Sequence, residues 1–152
     1  MIKKILLFLF LNFSALAIGG AFTGKGATSV WYRNLEKAPW TPPGWVFGSA
    51  WTIIMICFAI YMAYLIVSIS DQKRVITLFF TQWVLNIAWN PLFFYYNDVL
   101  MGFIIISLLT ILITYLLLHF RKILKLKSLL LMPYFVWLII ATSLNGYILF
   151  FN

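Results

Sequence analysis

The stretch WYRNLEKAPWTPPGWVFGSAW, residues 31–51, decides how the rest of the chain is read. It carries four of the seven tryptophans, three of the five prolines and the only glutamate, between flanks that are almost wholly aliphatic. A connector between two apolar spans does not need that many rings. An aromatic cluster there is either an anchor at the membrane interface or the wall of a binding site.

The flanks establish the class. Of 152 residues, 64% are hydrophobic and 9% charged, with a mean hydropathy of +1.03; a soluble domain carries about 25% charged residues. This is an integral membrane protein. A hydrocarbon core of about 30 Å takes roughly 20 apolar residues per helix. Five such spans fit, at about 5–24, 45–69, 75–96, 99–119 and 128–150, with residues 25–44 as a loop between the first two that would cover a ligand. The apolar runs are continuous, unlike the alternating segments of about 10 residues that build a membrane β-barrel. The expected fold is an all-α bundle of five transmembrane helices, a single domain over 1–152.

The net charge of +8 is informative through its placement. Lys3, Lys4, Lys73, Arg74, Arg121, Lys122, Lys125 and Lys127 fall at span ends on one side of such a bundle, and only Lys25, Arg33 and Lys37 on the other. That asymmetry is the positive-inside pattern, with the N-terminus cytoplasmic and the C-terminus outside. The basic residues are orientation signals, helped by anionic lipid, and argue against a nucleic-acid partner. Cys57 is the sole cysteine, which excludes an intrachain disulfide and a cysteine metal cluster.

Along the chain, Lys3, Lys4, the first apolar run and Ala15–Ala17 also fit a cleavable signal peptide, although the run continues through Phe22, long enough to span. The second span is entered through Pro42 and Pro43, and its helix is expected from about Pro43. In the third span Gln82, Asn86, Asn90 and Phe93 share one helical face. Amides in lipid must be paired or wet; helix-to-helix bonding and a ligand-facing role are both open. Pro91 is expected to kink this span so that its outer end leans away. Asn97 or Asp98 caps the fourth span, which reads as a scaffold, lipid-facing or subunit-facing helix. In the fifth, Pro133, Trp137, Ala141 and Leu144 lie on one face.

Several chemistries lack their apparatus. No acidic or basic residue lies mid-span, which argues against an ion-coupled pump, and no internal repeat supports an inverted-repeat transporter. There is no Ser/His/Asp set, no metal-ligand spacing and no glycine-rich phosphate loop. His119, at a span end, could ligate haem iron or simply be solvated. What remains is aromatic surface. Trp31, Trp40 and Trp45 suit an interfacial belt, whereas Trp51 and Trp137 lie further along their helices. A flat, apolar, polycyclic ligand would stack on such rings, oriented by the third-span amides.

The blocks WYRNLEKAPWTPPGW with Trp51, LNIAWNPLFF at 85–94 and PYFVWLIIATSLN at 133–145 resemble the TspO/MBR family, the tryptophan-rich sensory or translocator proteins that include the peripheral benzodiazepine receptor. The resemblance spans essentially the whole chain. It implies a retained first helix, a five-helix bundle, a homodimer, and a pocket beneath the loop between helices one and two. The implied ligands are porphyrins, namely protoporphyrin IX and haem, and benzodiazepine-type compounds, with no other cofactor and no metal site. Carried across by motif, the ligand-binding residues are Tyr32, Pro42, Pro43, Trp51, Asn86, Asn90, Phe93, Trp137, Ala141 and Leu144. Trp51 and Trp137 match tryptophans connected with porphyrin breakdown. The chain departs from the family twice. Tyr147 is followed by ILFFN without the basic residue of the family's sterol motif, and Ala38 stands where proline is usual before Pro39. Together these imply a membrane receptor or carrier for porphyrins in tetrapyrrole or stress signalling, in a bacterial plasma membrane. The alternatives are a light- and oxygen-dependent protoporphyrin-degrading enzyme using Trp51 and Trp137, and a scaffold protein.

Overall fold

The computed structural model describes residues 1–152, the side chain of Lys25 excepted. Six α-helices follow one another: α1 (Ile2–Gly26), α2 (Val30–Asn34), α3 (Gly44–Ser68), α4 (Gln72–Asn90), α5 (Val99–Leu124) and α6 (Met132–Phe151). Five are long and form an all-α transmembrane bundle; α2 is a short helix inside the first connection. Three stretches are long and apolar enough to cross a membrane on length and composition: Ile2–Gly24, Gly44–Ser68 and Val99–Phe151, the last running through α5 and α6. Helix α4 falls short because its 19 residues include Lys73 and Arg74 as well as the amides Gln72, Gln82, Asn86 and Asn90. It nevertheless packs against both α1 and α5. Its Gln82 and Asn86 are buried while Phe80, Thr81 and Val84 are exposed, so the polar stripe faces into the bundle.

Four sequence expectations need correction. The 25–44 loop contains α2, whose N-cap Ser29 accepts a hydrogen bond from the Tyr32 amide at 3.1 Å. Pro43 is the N-cap of α3, so that helix starts one residue later than expected. Pro91 does not simply bend the third span: α4 passes into a π-helical turn over Pro91–Tyr95, closed by Tyr96 N–H to Pro91 O at 3.0 Å. The wider turn accommodates the missing proline N–H and delivers Phe93 and Phe94 inward, both buried. The fifth span does not begin as α-helix at residue 128. Residues Lys125–Leu131 form a 3-10 segment and α6 starts at Met132. At the junction Lys125 has φ +50°, which ends α5. Between the third and fourth spans, Asp98 is the residue that caps α5, accepting from the Met101 amide at 2.9 Å.

At the end of the bundle where α4 begins, the interior is closed. Phe58, Tyr61, Met62, Leu65, Val75, Phe79 and Leu116 are essentially without exposed surface. Phe58 lies 6.1 Å from Phe79, stacked, and 5.4 Å from Tyr134, edge-on. The Tyr61 hydroxyl donates to Leu116 O at 3.1 Å. Helix α1 is keyed to this core by polar groups: Asn12 Nδ2 donates to Met55 O at 3.0 Å, and Trp83 Nε1 to Leu11 O at 2.9 Å. In lipid such bonds fix helix rotation, because hydrophobicity does not distinguish a neighbouring helix from a lipid tail.

Candidate functional site

Towards the opposite end the same helices separate around a cavity of about 650 Å³. Helix α1 borders it through Ala15, Leu16, Gly20 and Thr23 with its C-cap Ala27, the first turns of α3 border it through Phe47 and Trp51, and α4 contributes Asn86, Trp89 and Asn90. The π-helical turn supplies Phe93 and Phe94, and α6 supplies Trp137, Ala141, Leu144, Asn145 and Ile148. The connection 27–43 closes the mouth with Tyr32, Lys37, Thr41 and Pro42.

Of the ten residues expected to meet a ligand, Tyr32, Pro42, Trp51, Asn86, Asn90, Phe93, Trp137, Ala141 and Leu144 border this one cavity. Pro43 does not; it is exposed and caps α3. His119 lies at the far end of the bundle, stacked on Tyr115 at 5.0 Å with Nε2 3.3 Å from Arg74. It has no access to the cavity.

The third-span stripe divides by hydrogen bonding. Gln82 Nε2 donates to the buried Tyr134 hydroxyl at 2.6 Å, a helix-to-helix bond outside the cavity. Asn90 accepts from Thr23 of α1 and donates to Asn86 O at 3.3 Å. This contact requires Gly19, since a Cβ there would lie 2.6 Å from Asn90 Nδ2. The Asn86 side chain makes no hydrogen bond among the described residues and borders the cavity. Opposite, Trp137 borders the cavity with its ring, 6% exposed, while its Nε1 is sealed in the surrounding packing without a hydrogen-bond partner among the described residues.

The walls are rings set edge to face. Phe47 meets Trp137 at 5.3 Å and Trp51 meets Tyr134 at 5.9 Å. Phe93 stacks on Trp89 at 5.7 Å and meets Trp31 at 5.7 Å and Tyr32 at 6.3 Å. Trp31, expected at the interface, is a half-buried residue of α2 packed on Phe93. Burial pushes the Tyr32 phenol above its ordinary value, so it is neutral at physiological pH.

The mouth is fastened to α6. Trp40 Nε1 donates to Ser143 Oγ at 3.1 Å, and the Trp40 ring meets Tyr147 edge-on at 5.6 Å. The Glu36 amide donates to Asn152 Oδ1 at 2.7 Å, and Asn152 Nδ2 donates to Glu36 O at 3.0 Å. At position 38 the buried alanine tightens the loop, its carbonyl accepting from the Thr41 amide at 2.9 Å and hydroxyl at 2.7 Å.

Sequence reasoning missed Thr23, Lys37, Phe47, Trp89 and Asn145 as cavity residues. Two carried a signal. Trp89 stands three residues after Asn86 and four before Phe93, and Asn145 four after Ala141, so helical spacing puts both on faces already marked. The two are also joined, Trp89 Nε1 donating to Asn145 Oδ1 at 3.2 Å.

The TspO/MBR family model matches residues 7–151. The tryptophan-rich protein TspO of Archaeoglobus fulgidus is 37% identical over 149 residues, covering 91% of this chain and 92% of its own. That of Chlorobaculum tepidum is also 37% identical, over 137 residues, with 88% and 86% covered. The human translocator protein is 31% identical over 137 residues, with 83% of this chain and 79% of its own covered. With a match over nearly its whole length and an all-helical membrane bundle, this chain belongs to the TspO/MBR family.

Proposed function

We propose that this protein is a membrane receptor or carrier for porphyrins and related flat apolar ligands, which it holds in the cavity beneath the 27–43 connection. The observation that carries the reading is the cavity wall. About 650 Å³ falls within the roughly 300–1,000 Å³ usual for small-molecule sites. Trp51, Trp89, Trp137 and Phe93 offer ring faces and edges to a polycyclic body, while the Asn86 amide offers oriented hydrogen bonds. Titration with protoporphyrin IX should quench tryptophan fluorescence saturably. Trp51→Ala should weaken binding about tenfold or more, the expected effect of removing an aromatic anchor, whereas Ile123→Ala, on the outer surface of α5, should not. Equal affinity in all three proteins would refute the site.

A second reading is favoured by one detail: two tryptophans from facing helices, Trp51 of α3 and Trp137 of α6, border the same cavity. Under this reading the bound porphyrin absorbs light, oxygen is the oxidant, and the tryptophans relay an electron; the hard chemistry belongs to the porphyrin. Loss of the porphyrin absorption bands under light and oxygen should slow in the Trp51→Phe, Trp137→Phe double variant. Equal bleaching would reduce the effect to free photochemistry.

The same reading puts the eight-cation end of the bundle in the cytoplasm of a bacterial plasma membrane and the cavity mouth on the other side, as the positive-inside pattern requires. A homodimer through the outer faces of the bundle accompanies it.

A further inference from the structure

The cavity has one charged side chain among the described residues that border it, Lys37. It sits in the connection at the mouth, half-buried. Its Nζ donates to Arg33 O and Leu35 O, each at 3.3 Å, and lies 4.8 Å from the centroid of the Tyr32 ring. The partners are two carbonyls and a neutral ring. None carries a negative charge, and no ion pair to Lys37 exists among the described residues.

The chain has three acidic residues to offer. Asp71 and Asp98 cap α4 and α5 through their carboxylates. Glu36 is exposed, held through its backbone to Asn152. Lys37 is therefore a cation at the cavity mouth without a counter-ion among the described residues. An ammonium has three donors, and two long bonds to carbonyls leave the third for a ligand.

The polar groups of the cavity are sorted by depth. Lys37, Thr41 and the Tyr32 ring stand at the mouth, aromatic walls follow, and Asn86 lies inside. We propose that the ligand is an amphiphile with an anionic group, a carboxylate for a porphyrin, held at the mouth by Lys37 Nζ while its apolar body fills the interior. Lys37 then sets which end of the ligand enters first and disfavours neutral analogues of the same shape. This rests on the reading that the cavity is the ligand site.

The test compares protoporphyrin IX with its dimethyl ester, which keeps the ring and removes both negative charges. Binding to the whole protein in micelles is followed by tryptophan quenching, for the natural sequence, Lys37→Met and Lys37→Arg. The natural protein should prefer the diacid by about tenfold, as expected for one charge-assisted hydrogen bond. That preference should shrink with added salt, because the mouth is open to solvent. Lys37→Met should lose it by weakening the diacid alone, and Lys37→Arg should keep it. If Lys37→Met weakens diacid and ester equally, or if the natural protein does not discriminate, the lysine only shapes the loop and the proposal fails while the site stands. If neither porphyrin quenches saturably, the site and the proposal fail together.

Discussion

The two ends of the bundle are built from the same long helices and the same residue types, yet one is solid and the other hollow. In the closed half Tyr61 is engaged with Leu116 O and Gln82 Nε2 with Tyr134, and the groups left over, Gln82 Oε1 and Asn12 Oδ1, are sealed in the packing. In the hollow half, among the described residues, the Asn86 side chain has no hydrogen-bond partner and Lys37 no counter-ion, and both residues border the cavity. Aromatic content does not distinguish them, since Phe58, Phe79 and Tyr134 pack as densely as Trp51, Trp89 and Phe93 line a wall. What separates a packing region from a site in this protein is whether its unpaired polar groups are sealed in the packing, as Gln82 Oε1 is, or belong to residues that border open space, as Asn86 and Lys37 do.

Substitutions in the two halves should therefore fail in different ways. The largest effect is expected from Phe58→Ala in the closed half, which removes a fully buried ring between Phe79 and Tyr134. Cavity formation of that kind costs about 3–5 kcal/mol. Denaturant unfolding should show the loss, with ligand affinity little changed in the folded fraction. Next is Gln82→Leu, which leaves the Tyr134 hydroxyl buried without its partner. The expected destabilisation is about 1–3 kcal/mol, again with affinity preserved. Its counterpart Asn86→Leu should invert the pattern, with stability within about 0.5 kcal/mol of the natural protein because no bond is lost, and with affinity for porphyrin reduced. Should Asn86→Leu unfold the protein as readily as Gln82→Leu, the division between the two halves would be wrong. The smallest effect is expected at the fastening of the mouth. Trp40→Phe removes the bond to Ser143 but keeps a ring against Tyr147. Ligand release, followed by stopped-flow fluorescence, should quicken a few-fold with little change in unfolding; an unchanged rate would mean that the connection does not limit exit.

Much of the bundle is legible in the amino-acid sequence. Five apolar runs, their charge asymmetry and the Pro42–Pro43 entry to the second span depend on composition and local stereochemistry, and the helices follow them to within a few residues at most ends. The exceptions have local causes that composition hides. A π-helical turn at Pro91 and a 3-10 segment over Lys125–Leu131 repartition backbone hydrogen bonds without changing hydropathy. The candidate site is partly legible, because Asn86, Asn90 and Phe93 on one helix and Trp137, Ala141 and Leu144 on another are spaced at helical intervals. Lys37 and Thr23 are not. One sits in a connection without periodicity, the other on a helix with no marked polar face.

For this protein, then, sequence alone determined that the chain lies in a membrane, that it crosses as helices, and which face of each helix carries rings and amides. Those properties follow from side-chain transfer between water and lipid and from the 3.6-residue turn. Only the tertiary structure decided which of those polar groups are consumed in packing and which border the cavity unpaired. Gln82 and Asn86 are the same kind of residue one turn apart on α4. Tyr134 reaches the first and nothing reaches the second. That difference comes from the rotation and spacing of α4 against α1 and α6, set by contacts such as Gly19 with Asn90 and Trp83 with Leu11 O, between residues far apart in the chain.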